Sequence, residues 1–371
     1  MKITFPHLGN TYISVKSLLD DLGVEYIIPP FNNKKALELG TRLVPEMVCL
    51  PLKINIGNYI QAYGSGADTI IMAGGCGPCR FGYYCELQQE ILHDAGYDME
   101  MITFDLTKGN VRKLIDQLRR VPVKARPYEI PAIAARALRI VKKVDELEML
   151  SFKLRVREEE SGSVSGIYNS FRTKVLDTVG TKAVLDLLDE TEAKLGQIRL
   201  NRIKRPLRIG IVGEIYTGIE QFASFNIQER LGTMGIEVDR KVTVSNWVFD
   251  HIIKKHLHMP RDNSCEIAAK PWLGTMIGGH AQETVGNTVL YARNNYDGVI
   301  QIFPFSCMPE IVAESLLPSI ERELGIPVLT LIIDEMTGEA GYMTRVEAFA
   351  DMLEKRRESG KNEGGWELSW N

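Results

Sequence analysis

Three of the six cysteines of this chain fall in one glycine-rich segment, Gly74–Cys85. The apolar run before it, Thr69–Ala73, is typical of a short buried strand, and a helix is predicted over Glu86–Ala95 after it. Gly75 and Gly77 would let the backbone approach an inorganic centre closely, and the amides that begin the next helix favour thiolate over thiol. The residue types and their spacing therefore indicate a metal or iron–sulfur site.

Four cysteines are the candidate metal ligands: Cys49, Cys76, Cys79 and Cys307. The Cys76/Cys79 pair by itself would also suit a redox dithiol, but that reading leaves Cys49 and Cys307 unexplained, although we expect both in similar strand-to-helix positions. Four thiolates could hold zinc, but structural zinc sites usually use two tight cysteine pairs, and only one is present. Iron–sulfur clusters accept ligands scattered along a sequence, which favours a cluster over zinc.

The two remaining cysteines, Cys85 and Cys265, are interpreted as small buried apolar residues rather than ligands. Six thiols would also permit two cubanes with three ligands each, so the cluster is either a [4Fe-4S] centre or an [8Fe-9S] double cubane. The count alone does not separate the two.

A second polar group surrounds a glycine pair in the C-terminal half. His280 follows Gly278 and Gly279 at the predicted start of an amphipathic helix, and Glu283 lies one turn later. One reading is an ordinary helix start with Glu283 near the positive end of the helix dipole. The other places His280 in a cleft as a proton donor to substrate, with Glu283 beside it. The loop 334–341 follows the last predicted strand and either lines the same cleft or forms a turn before a helix.

Composition excludes several classes of function. The chain has 371 residues and a formal net charge of −4, with its basic residues dispersed, so neither nucleic acid nor an anionic membrane surface is expected as a partner. Met1–His7 lacks the apolar core of a signal peptide, and no apolar run is long enough to cross a bilayer. We therefore expect a cytoplasmic protein, in which six cysteines are an improbable disulfide framework.

The order of predicted elements indicates an α/β protein of two doubly wound parallel-sheet domains with the site in the cleft between them. We expect an N-terminal cluster-binding domain over residues 1–125, a helical linker over 126–205 and a C-terminal domain over 206–371. The linker is predicted to be a hairpin of two long helices, 130–159 and 164–198. The segments Gly66–Cys76 and Tyr296–Cys307 resemble each other, since each carries a cysteine after a buried strand.

Five segments carry a resemblance to a known family. They are Cys49-Leu50-Pro51-Leu52-Lys53, the run Cys76–Tyr84, Gly278-Gly279-His280 with Glu283-Thr284, the run Pro304–Glu310, and Asp334–Gly341. Together they resemble the acyl-CoA dehydratase activase-related proteins, also called CoA protein activases. That family is related to the catalytic subunits of 2-hydroxyacyl-CoA dehydratases and to the double-cubane cluster proteins.

The resemblance implies two α/β domains holding an iron–sulfur cluster between them. It also implies low-potential electrons delivered by a separate ATP-hydrolysing iron–sulfur activator, a small-molecule substrate that is dehydrated or reduced, and a homodimer. Lys53 and Arg80 would then stabilise a negatively charged cluster, unless they are solvated surface residues. The chain has no ATPase signature of its own and no evident coenzyme A signature. A carrier that only relays electrons and a zinc-stabilised binding protein are the alternatives.

Overall fold

The computed structural model of the chain describes residues 1–74, 80–105, 116–201, 205–254 and 262–362. In these ranges all strands lie in two sheets, and every pairing is parallel. The strands are β1 (Ile3–Thr4), β2 (Thr69–Gly74), β3 (Glu100–Asp105), β4 (Arg208–Gly213), β5 (Glu237–Arg240), β6 (Gly298–Pro304) and β7 (Val328–Ile333). The predicted α/β class with parallel sheets is confirmed.

Helices cover most of the rest of the described chain. In the N-terminal half they are α1 (Thr11–Leu22), α2 (Lys34–Leu43), α3 (Leu50–Gly64) and α4 (Tyr84–Asp94). Three further helices follow, α5 (Ile130–Arg155), α6 (Ser163–Asp177) and α7 (Thr181–Gly196). The C-terminal half has α8 (Ile215–Ile219), α9 (Ile227–Thr233), α10 (Val244–Val248), α11 (Ser264–Ala269), α12 (Ala281–Arg293), α13 (Met308–Leu324) and α14 (Glu339–Asn362). None of the described helices is both long enough and apolar enough to span a membrane.

The first sheet has the order β1-β2-β3, so β2, the strand that precedes Cys76 in the chain, is central. The sequence predicts a second strand over Glu25–Ile28; this prediction is wrong, because only Tyr26 forms a bridge, to Ile3. Two backbone hydrogen bonds join the segments there, and pairing stops because Pro29 and Pro30 follow and have no N–H to donate. This sheet is therefore smaller than the sequence suggests.

The expected hairpin of two long linker helices is also wrong, because the second helix divides into α6 and α7. The first of these helices ends at Asp177, because Thr178 is extended with a ψ of 122°, and Gly180, with a φ of 83°, stands directly before α7. The start of α7 is then held by α1, since the backbone N–H of Gly180 donates to Asp20 at 3.0 Å and that of Thr181 donates to Asp21 at 3.3 Å. The break is thus stabilised by acids far away in sequence, which a local pattern does not reveal.

The second sheet has the order β5-β4-β6-β7, with β4 and β6 inside. The sequence predicts a single helix over Ile219–Met234, but the structure has α8, a turn and α9 in this region. Phe225 and Asn226 have φ of 51° and 54°, which no continuous helix accommodates. The strand β6 is buried along its whole length, as a central parallel strand must be.

Helix α3 belongs to both halves of the molecule. Leu50 and Ile54 pack in the core built around the second sheet, whereas Leu52 and Ile56 pack in the core of the first half. Helix α2 lies so close that a β-carbon on Gly57 would sit 1.8 Å from the carbonyl oxygen of Ala36. A helix buried on nearly every side must be apolar all round, which explains its weak amphipathic pattern.

Candidate functional site: two capping thiols at the interdomain seam

Cys49 and Cys307 each occupy the N-cap of a long helix. Cys49 precedes α3 and Cys307 precedes α13, and in both helices the second residue is proline, Pro51 or Pro309. Proline is well tolerated there because its missing N–H would have had no partner in the first turn. The positive ends of two helix dipoles therefore point at two thiols, which favours a negatively charged ligand atom at each position.

The position of Cys49 differs from the expectation in one respect. It does not follow a strand, because α2 and a short turn precede it, whereas Cys307 follows the C-terminal end of β6 closely. The sequence pattern missed α2 altogether. Its first turn is capped by Asn33, whose side chain accepts from the backbone N–H of Ala36 at 2.9 Å.

Cys49 lies close enough to act electrostatically on the thiol of Cys307. Burial raises the pKa of Cys307 most, the negative charge of Glu214 raises it further, and the charge of Cys49 adds to the rise. The residues beside the thiols are in direct contact, since the hydroxyl of Ser306 donates to the carbonyl oxygen of Met47 at 3.0 Å. The structure thus brings together, from opposite halves of the chain, two of the four predicted ligands.

We use the name interdomain seam for the contacts of Gly9, Asn32, Met47, Lys53 and α3 with the C-terminal half. The backbone N–H of Gly9 donates to Glu220 at 2.9 Å, and the side-chain amide of Asn32 donates to the hydroxyl of Tyr216 at 3.1 Å. With the apolar contacts of Leu50 and Ile54 these bonds fix how the two halves meet. The thiols lie at one part of this seam.

Lys53, predicted to stabilise a cluster, is committed to protein partners. Its side chain is 2% exposed, and its ammonium lies 2.5 Å from the carboxylate of Glu335 and donates to the carbonyl oxygen of Glu46 at 3.0 Å. Glu335 belongs to the loop after β7, so the ion pair crosses the seam. The 334–341 loop is therefore brought to the site through Glu335.

Behind Cys307 lies a buried carboxyl group, Glu310, in the first turn of α13. Thr284 donates to its two oxygens at 3.1 and 2.9 Å, and Gln301 donates at 3.0 Å. Burial raises the pKa of Glu310 to about 7, against the effect of these hydrogen bonds. The group ties α12, β6 and α13 together directly behind the thiol.

His280 and Glu283 also lie in this region. His280 is the N-cap of α12, as predicted, and a β-carbon on the preceding Gly279 would come within 2.8 Å of Pro309, two residues after Cys307. Burial raises the pKa of Glu283, and the charge of Glu266 raises it further. The first turns of α12 and α13 are thus adjacent, which places the predicted catalytic pair beside the predicted ligand.

The other predicted site residues belong to the segment that contains Cys76 and Cys79. Gly75, Cys76, Gly77 and Cys79 lie outside the described residues, as does the side chain of Arg80. The strand before them, β2, ends at Gly74 in the centre of the first sheet. Within the described part of the chain, no three His, Cys, Asp or Glu side chains are grouped closely enough to hold a metal ion.

The two cysteines that we interpreted as small apolar residues are enclosed to different degrees. Cys85 is in α4 and is 3% exposed in the core of the first half. Cys265 is only partly buried; its sulfur approaches the carbonyl oxygen of Glu283 at 3.6 Å, and burial raises its pKa to about 12. The predicted burial is therefore confirmed for Cys85 and met only in part by Cys265.

Three carboxylates lie at the site, Glu214, Glu310 and Glu335. Sequence reasoning gave Glu214 no role there, and it included Glu310 and Glu335 only within the segments Pro304–Glu310 and 334–341. Glu214 follows β4 as Cys307 follows β6, and its carboxylate accepts from the backbone N–H groups of Tyr216 and Thr217, both at 3.0 Å. The signal that could have located the thiols more firmly is the repeated Cys-x-Pro pattern, in which proline marks the first turn of a helix. It occurs at Cys49, Cys76 and Cys307.

Comparison with protein-family models gives no match for this chain. Comparison with characterised proteins finds no significant relative. The ligand that the site suits therefore follows from its own thiol groups. Two cysteines at helix N-caps, carried by segments that are in contact, would supply half of a four-thiolate ligand set, and β2, the strand that precedes Cys76 in the chain, ends in the first sheet.

Proposed function

We propose that this chain is a cytoplasmic iron–sulfur protein. It accepts low-potential electrons from a separate ATP-hydrolysing activator and uses them to reduce or dehydrate a small bound substrate. The observation that carries the proposal is the meeting of Cys49 and Cys307 at the N-termini of α3 and α13. Thiols drawn from two domains to one seam suit a cluster held between domains, and they do not suit a dithiol that acts alone.

In this proposal Cys49, Cys76, Cys79 and Cys307 hold the cluster, which would supply single electrons to the substrate. The chain's own residues bind the cluster and orient the substrate. The two helix N-termini stabilise the negative charge on the ligand sulfurs. His280 is the N-cap of α12, next to the first turn of α13, which follows Cys307. From this position His280 would donate a proton to the substrate.

The carboxylates set the protonation state of Cys307 before any metal binds. Burial and the charge of Glu214 raise the pKa of that thiol, so it keeps its proton at neutral pH. A raised thiol pKa argues against a role as a free redox nucleophile, since the thiolate is the reactive form. A metal centre avoids this penalty because it replaces the proton with a larger positive charge.

The proposal is tested by purifying the full chain without oxygen and measuring its visible spectrum with iron, sulfide and zinc per chain. About four irons support a single cubane and about eight a double cubane. A colourless protein that holds zinc and no iron would overturn the proposal in favour of a zinc-stabilised binding protein. Cluster reduction by an ATP-dependent activator with no substrate turnover in the presence of candidate hydroxyacyl thioesters would favour an electron carrier.

A further inference from the structure

The Lys53–Glu335 ion pair joins the two halves of the molecule within a few residues of both thiols. Lys53 lies four residues after Cys49 in the first turn of α3, and its ammonium contacts Glu335 at 2.5 Å. The side chain of Lys53 is 2% exposed and that of Glu335 is 22% exposed. Since a buried charge without a partner is costly, this contact is strongly coupled to the closed seam.

Each partner is held in place before the pair forms. The backbone of Lys53 cannot shift toward α2, because a β-carbon on Gly40 would already lie 1.7 Å from the Lys53 carbonyl oxygen. Glu335 stands in a turn closed by its own neighbours, in which Thr337 donates to Asp334 at 2.7 Å and the N–H of Met336 donates to Asp334 at 3.0 Å. The ion pair therefore joins two locally rigid elements.

A second bond crosses the seam on the other side of Cys49. The hydroxyl of Ser306 donates to the carbonyl oxygen of Met47 at 3.0 Å. Met47 precedes Cys49 by two residues, and Ser306 directly precedes Cys307. The two cross-seam bonds thus flank Cys49, and each of them is anchored beside an element that positions a thiol.

We propose that Lys53 and Glu335 form an interdomain clamp that sets the distance between the thiols of Cys49 and Cys307. They act as positioning residues, and the Lys53 ammonium pairs with the Glu335 carboxylate rather than with a cluster. When the pair is broken, the buried ammonium draws in water and the loop after β7 separates from α3. The apolar contacts of Leu50 and Ile54 keep the halves joined, so the chain stays folded while the thiols move apart.

The inference rests on the proposed function only where it regards these thiols as metal ligands; the clamp itself can be tested on metal-free protein. The probe is dibromobimane, a short reagent that bridges two neighbouring thiols and becomes fluorescent when it does so. Labelling is run above neutral pH, at one pH for all variants, because burial raises the pKa of Cys307 and the thiolate is the reactive form. Peptide mass spectrometry then measures the yield of the Cys49–Cys307 bridge. Glu335→Ala breaks the clamp from the more exposed side, and Lys53→Met removes the buried charge.

Glu339→Ala is the matched control. It removes the same charge four residues further along, where the carboxylate pairs with Arg230 inside the C-terminal half. We expect the bridge yield to fall about twofold or more in Glu335→Ala, because loss of the ion pair raises the population in which the thiols are apart, and to stay at the wild-type level in Glu339→Ala. Glu335→Asp should restore part of the yield.

An unchanged bridge yield in Glu335→Ala would overturn the clamp. So would an equal fall in Glu339→Ala, since the effect would then follow from lost charge and not from the seam. If Lys53→Met does not fold, Glu335→Ala decides the question, with circular dichroism confirming its folded state. Iron content is measured separately on the wild-type chain, so iron-free protein with a clamp-dependent bridge would reject the proposed function and leave the clamp standing.

Discussion

Cys49 and Cys307 share one local position: each is the N-cap of a long helix with proline as its second residue. The helices come from different cores, and α3 contributes apolar side chains to both. The two thiols meet because α3 is inserted between the halves. This arrangement makes the thiols sensitive both to the helix dipoles and to the fit of the seam.

Removing a seam thiol should remove the metal. We expect Cys307→Ala and Cys49→Ala to lose most of the iron and sulfide bound by the wild-type chain, because each would delete one ligand of the proposed cluster. Cys265→Ala is the control, since the sulfur of Cys265 lies against the Glu283 carbonyl oxygen in a partly buried setting. Iron retained in full by Cys307→Ala would show that this thiol is not a ligand.

The buried imidazole of His7 should make stability depend on pH. Burial lowers its pKa from 6.5, partly offset by Glu220, and its Nε2 lies 2.6 Å from the carbonyl oxygen of Pro29. The unfolded chain therefore takes up a proton first. The contribution of His7 to the free energy of unfolding should fall as the pH drops through about 6.5, by up to about 1.4 kcal/mol per pH unit. Glu310, whose pKa burial raises to about 7, contributes a slope of the opposite sign in the same range, so the effect of His7 is measured as the difference between the wild-type slope and that of a His7 variant.

Urea unfolding at several pH values measures this dependence. His7→Gln keeps an N–H donor for Pro29 but does not titrate, so its stability should lose the contribution of His7 to the slope between pH 5 and 7. His93→Gln, at a side chain that is 80% exposed, should keep the wild-type slope because an exposed ring stays hydrated in both states. Equal slopes in wild type and His7→Gln would contradict the assignment.

The ion pair of Arg240 with Glu148 should be costly to break. It lies at 2.7 Å between side chains that are 2% and 4% exposed, and it joins α5 to the end of β5. Arg240→Met should lower the free energy of unfolding by about 3–5 kcal/mol, because it leaves a buried carboxylate uncompensated. The double variant Arg240→Met/Glu148→Met should recover most of this loss, since neither charge of this pair is then left buried without its partner.

Chemical denaturation at neutral pH distinguishes these outcomes. The comparison is Lys194→Met, which breaks an exposed pair with Glu190 on α7 and should change stability by less than about 1 kcal/mol. A double variant that is as unstable as Arg240→Met would show that the cost comes from packing around the arginine and not from its charge.

The close approach of α2 and α3 should not tolerate a methyl group. Gly57→Ala would place a β-carbon 1.8 Å from the Ala36 carbonyl oxygen, so the helices must separate. We expect a loss of about 1–3 kcal/mol in thermal or urea unfolding, as for other overpacked cores. Gly166→Ala, in α6 with nothing within 4 Å of the added carbon, should gain about 0.5–1 kcal/mol. A neutral Gly57→Ala would mean that the two helices separate at no cost.

Local patterns predicted much of the parallel framework. The last strand, Val328–Ile333, has the predicted bounds, and β2 exceeds the prediction by a single residue, Gly74. Short apolar runs bounded by turn residues carry this information within a few residues of sequence. The start of α12 after His280 was predictable for the same reason, because a glycine pair precedes an amphipathic run.

Other elements were decided by contacts with remote residues. The break between α6 and α7 is stabilised by Asp20 and Asp21 of α1. The carboxylates around Cys307 come from the ends of different strands and helices. No window of neighbouring residues contains these relationships, so propensity alone could not supply them.

The sequence by itself determined that thiols would stand before helices in an α/β protein, since the cysteines, the prolines after them and the apolar periods are local features. Only the tertiary structure decided that Cys49 and Cys307 meet and that the Lys53 ammonium is neutralised by Glu335. Those outcomes depend on how α3 packs between two cores. A charge that is buried there needs a partner of opposite sign, because an unpaired charge away from water raises the free energy of the folded state steeply.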